Sequence, residues 1–549
     1  MQAPPTTRAP LLWFLVPLIL GITLVHWMSN TWVLLLLGSG LGTGTLGFIY
    51  LKRKRLTKPA YGLLVLGGIL LSAAYTLSQT PVFPRDEPLP PREAFLSLKI
   101  TRLFSREDPY HRQGGIALIE EAPKHLQELQ GQKVSFFLKK QNNRPSPKRG
   151  ETWTALGVLD SFPQKPEPFS FAFTQKNEGI YFSLNRGIFL ERTHEPGPFT
   201  FYLTQSALWL KNILSQGTPA KAEGVYMAML LGDKQKLDPQ TKAQFIQTGT
   251  LHLFAISGLH IGVIAFALFT LLRWFKLPRI ANTCTGLSLL LLYVLIIGAS
   301  PSALRAFLMI FFLWGAYSFK RRPAPFSALV ASALCVLLIN PLQLWSPGFQ
   351  LSYSVVTGIL LYGLPLAGFF KKRLAPDNFI PTSEIPYWKR SAIWIKTKLL
   401  ESSAITLSAT LLSAPLILAY FKMFSPGAFL LNLILIPLAS LTITLGFASL
   451  ICGILFIPII PTLLNQLAAL CILGLKQSVS WGLKIPYIFW EANSHNAPLT
   501  LMGILGLLTL LICTRPCMNK NGSLRLLGPI IFAALWAIIT INPASLQML

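Results

Sequence analysis

Long apolar runs, broken by short basic or polar stretches, recur along most of the chain. With about 20 residues as the length that crosses a hydrocarbon core, thirteen segments qualify: near 11–29, 31–50, 60–77, 250–274, 283–299, 303–319, 324–340, 349–369, 400–421, 427–453, 462–483, 498–513 and 525–541. Several are short or abut, so the pattern predicts an α-helical polytopic membrane protein with about 11–13 transmembrane helices. Between 78 and 200 the pattern changes. A Pro-rich linker (Pro81, Pro84, Pro88, Pro90, Pro91) precedes short alternating runs at 95–103, 115–120, 133–139, 153–159 and 180–184. Period-two alternation with turn residues between runs predicts a small inserted β-domain of five strands. A five-stranded Greek-key barrel is of the OB type, so an OB-like domain is expected, a form common among nucleic-acid binders.

Shorter helices are expected between 201 and 249. Residues 201–214 form an amphipathic pattern suited to a membrane surface, and 222–231 end at Gly232-Asp233. Asp238-Pro239 supplies an N-cap carboxylate and a proline for the first turn. The helix it starts runs through Gln247 and stops with Gly249 near its C′ position. The expected organisation is therefore N-terminal transmembrane helices at 1–77, the β-domain at 78–200, interfacial helices at 201–249, a membrane core at 250–513, and a last helix and tail at 514–549.

Composition agrees with this class: of 549 residues 52% are hydrophobic and only 13% charged, with mean hydropathy +0.51. Soluble domains carry about twice that charged fraction. The first span has a weak basic start at Arg8 and no small-residue cleavage site after it, and a second span follows at once, so it reads as an uncleaved anchor. The formal net charge is +27. Much of it lies in loops that alternate consistently: Lys52-Arg53-Lys54-Arg55, Lys320-Arg321-Arg322, Lys371-Lys372-Arg373 with Lys389-Arg390, and Arg515 with Lys520 and Arg525. Basic loops stay cytoplasmic, which puts 78–249 on the extracytoplasmic side of what reads as a bacterial inner membrane. All six cysteines (Cys284, Cys335, Cys452, Cys471, Cys513, Cys517) lie in or beside spans. The β-domain, lacking any, has no disulfide framework.

Polar residues interrupt the mouth of the span at 249–262, GTLHLFAISGLHIG. Polar side chains in hydrocarbon are expensive unless they face a cavity or a partner. His252 and His260 suggest a metal, but eight residues of continuous helix separate them by about 12 Å, too far for one zinc ion unless Gly258 breaks the helix. Ser257 beside His260 suggests a nucleophile and base, yet no acid in that helix would orient the base. A polar pore lining, a helix-packing role and buried hydrogen-bonded histidines stay open. In GASPSALRAF (298–307) Pro301 suits a helix start and Arg305 sits one turn inside, either snorkelling to headgroups or facing water, where it would attract phosphate. In 340–354 Trp345 suits an interfacial anchor and Pro347 can open the next helix; Gln350 and Ser354 share a face, while Ser352 points elsewhere. Asn432 and Pro437 interrupt the run at 425–438. For both segments ordinary interhelical hydrogen bonding competes with a path-lining role.

In the β-domain, 139–149 holds five basic residues and no acid beside Phe136, Phe137 and Trp153. It reads as a solvated hairpin loop or a phosphate-tracking one. Residues 81–200 carry 17 basic and 14 acidic side chains, a net of only +3. No GxxxxGK[ST] loop occurs, and the seven histidines form no HxHxDH-like cluster, which argues against a P-loop nucleotidase and a two-metal hydrolase of that type.

Five strings occur in order: LLGDKQKLD (230–238), FIQTGTLHLFAISGLHIG (245–262), GASPSALRA (298–306), PGFQLSYS (347–354) and FSPGAFLLNLILIPL (424–438). Together they closely resemble the ComEC family of bacterial competence proteins, over about 200–510. The resemblance implies a channel, not an enzyme, that passes one DNA strand across the inner membrane during natural transformation. Asp233, Thr248, His252, Ser257, His260, Ser302, Arg305, Gln350, Ser352, Ser354 and Asn432 would line or shape the path, Ser352 only because it lies in a matched string. Expected partners are single-stranded DNA and membrane lipid, with a DNA receptor, a cytoplasmic translocation ATPase and a separate nuclease, and no cofactor or metal is expected. Many members of the family end in a metallo-β-lactamase-like domain, whereas spans 498–513 and 525–541 close this sequence, so strand degradation would fall to another protein or not occur at all. The alternatives are a transporter of another polar solute or polymer, and an intramembrane hydrolase built on Ser257 and His260.

Overall fold

The computed structural model describes residues 9–25, 33–52, 57–79, 90–104, 112–139, 146–163, 170–374 and 386–485, with a few isolated positions outside these ranges. Three helices come first: α1 (Leu12–Val25), α2 (Val33–Lys52) and α3 (Thr57–Gln79), with α3 packed against the other two. Leu15, Leu18 and Ile22 of α1 also meet Leu329, Val330 and Leu337 of a later helix, Pro325–Ile339, in one apolar cluster.

The β-domain is a closed barrel of β1 (Arg92–Leu103), β2 (Arg112–Glu121), β3 (Lys133–Lys139), β4 (Thr152–Ser161) and β5 (Ile180–His194). Around the barrel the order is β1-β2-β3-β5-β4, and only β3 and β5 run parallel. A short helix, α4 (Phe171–Asn177), capped by Ser170, lies between β4 and β5. The alternation seen in the sequence puts Leu96, Leu98, Ile100, Val134, Leu138 and Leu184 inside. Phe136 and Trp153 are also interior, at 0% and 2% exposure. They are core packing and not platforms for stacked bases, because each lies on the inward register of its strand. The acid beside them is matched: Glu151 accepts from Trp153 Nε1 at 2.8 Å and from the Lys148 amide at 2.9 Å. Most of the basic loop at 139–149 lies outside the described residues.

After the barrel come α5 (Pro198–Ser215), α6 (Ala220–Leu231), α7 (Pro239–Gln247), α8 (Gly258–Trp274), α9 (Arg279–Ile296), α10 (Pro301–Ser318) and α11 (Pro325–Ile339). Then follow α12 (Pro347–Gly358), continued through a π-turn into α13 (Leu364–Leu374), α14 (Tyr387–Phe421), α15 (Ala428–Ile454) and α16 (Ile460–Gly482). Five described helical stretches are long and apolar enough to cross a membrane: Tyr61–Gln79, Arg279–Ile296, Pro347–Leu374, Tyr387–Phe421 and Ala428–Ile454. Each of the first eleven expected segments contains helix. Those at 498–513 and 525–541, with Cys513 and Cys517, lie outside the described residues apart from isolated positions. Large apolar side chains on the helices point outward, Phe266 73% and Leu470 64% exposed, as helices surrounded by lipid do. The inner packing joins α5–α10 with α15 and α16 in one cluster. The short helix α4 beside the barrel contacts the turn Pro341–Trp345 that links α11 to α12.

Candidate functional site

The segment before α8 is not a continuous helix. Asp238 caps α7, accepting from the Thr241 amide at 2.9 Å, the Thr241 hydroxyl at 2.8 Å and the Gln240 amide at 3.4 Å. Those bonds hold its carboxyl below the ordinary carboxylate range. The helix ends at Thr248, and Gly249 takes a left-handed φ of +68°, which a side chain disfavours. One 3-10 turn, Leu251–Phe254, follows, and α8 starts only at Gly258. The expected 12 Å between the histidines assumed unbroken helix; with the break, His252 and His260 come within electrostatic range of each other. Among the described residues no group of three or more His, Cys, Asp or Glu gathers to hold a metal.

Ser257 and His260 form a capping box in which histidine stands where Glu or Gln usually does. His260 Nδ1 lies 2.8 Å from Ser257 Oγ and accepts from the Ser257 amide at 3.3 Å. That amide fixes Nδ1 as an acceptor, which leaves the proton on Nε2. Nε2 is buried without a partner of regular geometry, beside the Leu253 carbonyl. Among the described residues no carboxylate is hydrogen-bonded to the ring, and the pair sits at the first turn of α8 as its cap. Thr248 is fully buried, its hydroxyl 2.8 Å from that of Thr250 and 3.0 Å from the Gln244 carbonyl. Asp233, just beyond the left-handed Gly232 that ends α6, pairs with Lys211 of α5 and accepts from the Gln235 amide at 3.0 Å.

Arg305 is a buried cation without a close counter-charge among the described residues. It is 4% exposed, its Nε is enclosed with no hydrogen-bond partner, and no carboxylate among the described residues pairs with it. The guanidinium lies over Gly348 at the start of α12, where an added Cβ would stand 3.3 Å from Nη2. Tyr353, one turn and a half further on, shares its surroundings and donates to Ser332 Oγ at 3.2 Å. An unpaired charge inside a protein costs several kcal/mol even after relaxation. Within a membrane core such a group marks a functional site by default, and a planar fork of donors matches phosphate.

The remaining candidates divide. Gln350 is satisfied between helices, donating to the Leu344 carbonyl at 3.0 Å and accepting from Tyr420 of α14 at 3.0 Å. Ser302, Ser352 and Ser354 are half-buried on α10 and α12. Asn432 carries a buried, unpartnered Oδ1 one turn into α15. Helix α8 packs against both α10 and α15, and Gly249 abuts Ser425 and Ala428. The mouth at 248–260, the Arg305 pair of helices and the start of α15 therefore adjoin through α8.

Three long-range contacts escaped the sequence reading. Asn465 of α16, 0% exposed, accepts from the Tyr226 hydroxyl at 3.0 Å and donates to the carbonyls of Ile213 and Gln216 at 2.8 and 2.9 Å. Tyr293 of α9 donates to the Leu230 carbonyl at 2.5 Å. Gly348 beside Arg305 is the third. Each joins positions far apart in sequence; an asparagine inside an apolar run was the one local signal for Asn465.

The family model described as Competence protein matches residues 229–516. ComE operon protein 3 of Bacillus subtilis is 26% identical over 257 residues, which is 47% of this chain and 30% of that protein. Recombination protein 2 of Haemophilus influenzae is 26% identical over 239 residues, 42% of this chain and 28% of that protein. An uncharacterized protein of Escherichia coli, YcaI, is 24% identical over 258 residues, 45% of this chain and 31% of that protein. The chain thus spans under a third of the length of these curated relatives. No solved structure matches.

Proposed function

Because the chain belongs to the competence protein family, we propose that it forms the membrane channel through which a single DNA strand enters the cell during natural transformation. The observation that carries this reading is Arg305: a guanidinium buried in the helical core, without a carboxylate partner among the described residues, packed against Gly348. Phosphates of a passing strand supply the counter-charge in turn. Ser302, Ser352, Ser354, Asn432, His252 and His260 replace lost hydration without holding the strand too tightly to release. Thr248, Ser257, Asp233 and Gln350 shape the path by fixing the elements around it.

The barrel serves as an OB-like module on the extracytoplasmic face of a bacterial inner membrane. Its β1-β2-β3-β5-β4 closure with one parallel pair supports that reading. The division at 77, 200, 249 and 513 is kept as the working organisation, with the family match at 229–516 beginning inside its third part. A DNA receptor, a cytoplasmic translocation ATPase and a nuclease are the partners such a channel requires.

The test replaces Arg305 with Gln, and His260 with Ala, in transformable cells supplied with labelled DNA. Both variants should insert normally and import no strand. Normal import by Arg305→Gln overturns the channel reading.

A further inference from the structure

A cavity of about 200 Å³ opens between α6, the 232–238 loop, the start of α7 and α16. Three lysines line it: Lys221, Lys236 and Lys476. Lys476 is the sole charged side chain of α16, a 23-residue apolar helix. It donates to the Lys221 carbonyl at 3.3 Å and lies within electrostatic range of Asp238 without forming a close ion pair among the described residues. Lys236 pairs with Glu223 at 2.7 Å, and Asp238, also on the wall, is engaged in capping α7. Lys221 makes no ion pair among the described residues. Helix α6 begins at this wall with Pro219 as its N-cap and no side-chain cap, so the Ala220 and Lys221 amides are uncapped at the cavity. Such a helix end favours an anion.

The same loop adds a cation on the barrel side. Lys234 lies within electrostatic range of Lys242 on α7 and Arg102 on β1; burial first, then these like charges, hold its ammonium below the ordinary lysine range. An ordered anion would offset both costs.

We propose that this cavity is a phosphodiester site, held by Lys221, Lys236, Lys476 and the α6 amides, which takes one phosphate of the strand as it passes from barrel to core. The proposal rests on the channel reading above but uses none of the Arg305 residues. A lipid headgroup presents the same phosphodiester chemistry, and the two sources separate by experiment.

The full chain is reconstituted in phosphatidylcholine nanodiscs, and binding of a fluorescent oligothymidylate is followed by anisotropy across a salt series. Lys476→Gln and Lys221→Gln should each weaken binding several-fold and flatten the slope of log K against log salt by about one unit. Lys476→Arg should restore both. Unchanged slope and affinity in the Gln variants overturn the site. An effect seen only when phosphatidylglycerol is present assigns the cavity to lipid and overturns it for the strand. If strand binding depends on Arg305 but not on Lys476, the cavity alone fails. If the parent protein binds no strand, the channel reading fails with it.

Discussion

Gly348 makes room for Arg305: any Cβ at position 348 would stand 3.3 Å from the guanidinium Nη2 and 3.7 Å from Nη1. The contact joins the start of α12 to the first turns of α10, forty-three positions earlier in the chain. It keeps one face of the guanidinium against backbone, where a bulkier neighbour would turn it aside.

Gly348→Ala should therefore lower uptake of labelled DNA several-fold without lowering the amount of inserted protein, and Gly348→Leu should abolish uptake. Arg305→Lys should recover only part, since an ammonium lacks the planar fork. Uptake counted against membrane-inserted protein checks this, and wild-type import by Gly348→Leu would contradict the assigned contact.

The Ser257–His260 pair gives a prediction that separates a helix cap from a catalytic dyad. Losing a cap costs about 1 kcal/mol, so Ser257→Ala should keep most of its import. His260→Gln, which preserves an acceptor at N3, should exceed His260→Ala. Complete loss in Ser257→Ala, together with covalent labelling of the parent by a serine-reactive probe, would point to hydrolysis.

Asn465 closes a buried junction of α5, α6 and α16. In Asn465→Ala the Tyr226 hydroxyl and the Gln216 carbonyl lose this partner, while the Ile213 carbonyl keeps the Gln216 amide, at about 1–3 kcal/mol for each group left unsatisfied. The midpoint for thermal loss of monodisperse protein in detergent should fall clearly, and Tyr226→Phe should fall less. Equal midpoints for Asn465→Ala and the parent would remove the junction from the account of stability.

Much of this fold was legible locally and much of the site was not. Asp238-Pro239 and Gly249 mark both ends of α7 through near-neighbour bonds, and period-two alternation located all five strands. The break at 250–257 was legible only in part: Gly249 marked a stop and Gly258 a place where helix could break, but apolar residues on both sides continue one run. Arg305 was singled out as a charge in an apolar run, but Gly348 and Tyr353 reach it only through packing. Phe136 and Trp153 misled because adjacency to a basic loop suggested exposure, while their register turns them inward.

Glu120 ties β2 to its neighbours, accepting from Lys99 at 2.8 Å and from Thr152 Oγ1 at 3.0 Å. The Lys99 hydrogen bond leads in holding its carboxyl below the ordinary range, with burial opposing. A carboxyl depressed on folding stabilises the native state above its unfolded value, and that contribution fades as pH falls through the lowered one. Hydrogen-exchange protection of β1 and β4 should thus drop below pH about 4, and Glu120→Gln should flatten the drop. An identical acid profile in the variant would assign the loss to other groups.

The parallel seam between β3 and β5 governs how the insert can be made. Until residues 180–194 arrive, β3 and β4 each present a bare row of amides and carbonyls, an invitation to wrong partners. The ring shuts with the last strand to be synthesised, three residues before the chain turns into α5. A nascent barrel must therefore be shielded until translation has passed it, and a truncation at residue 179 should yield aggregates rather than a smaller fold.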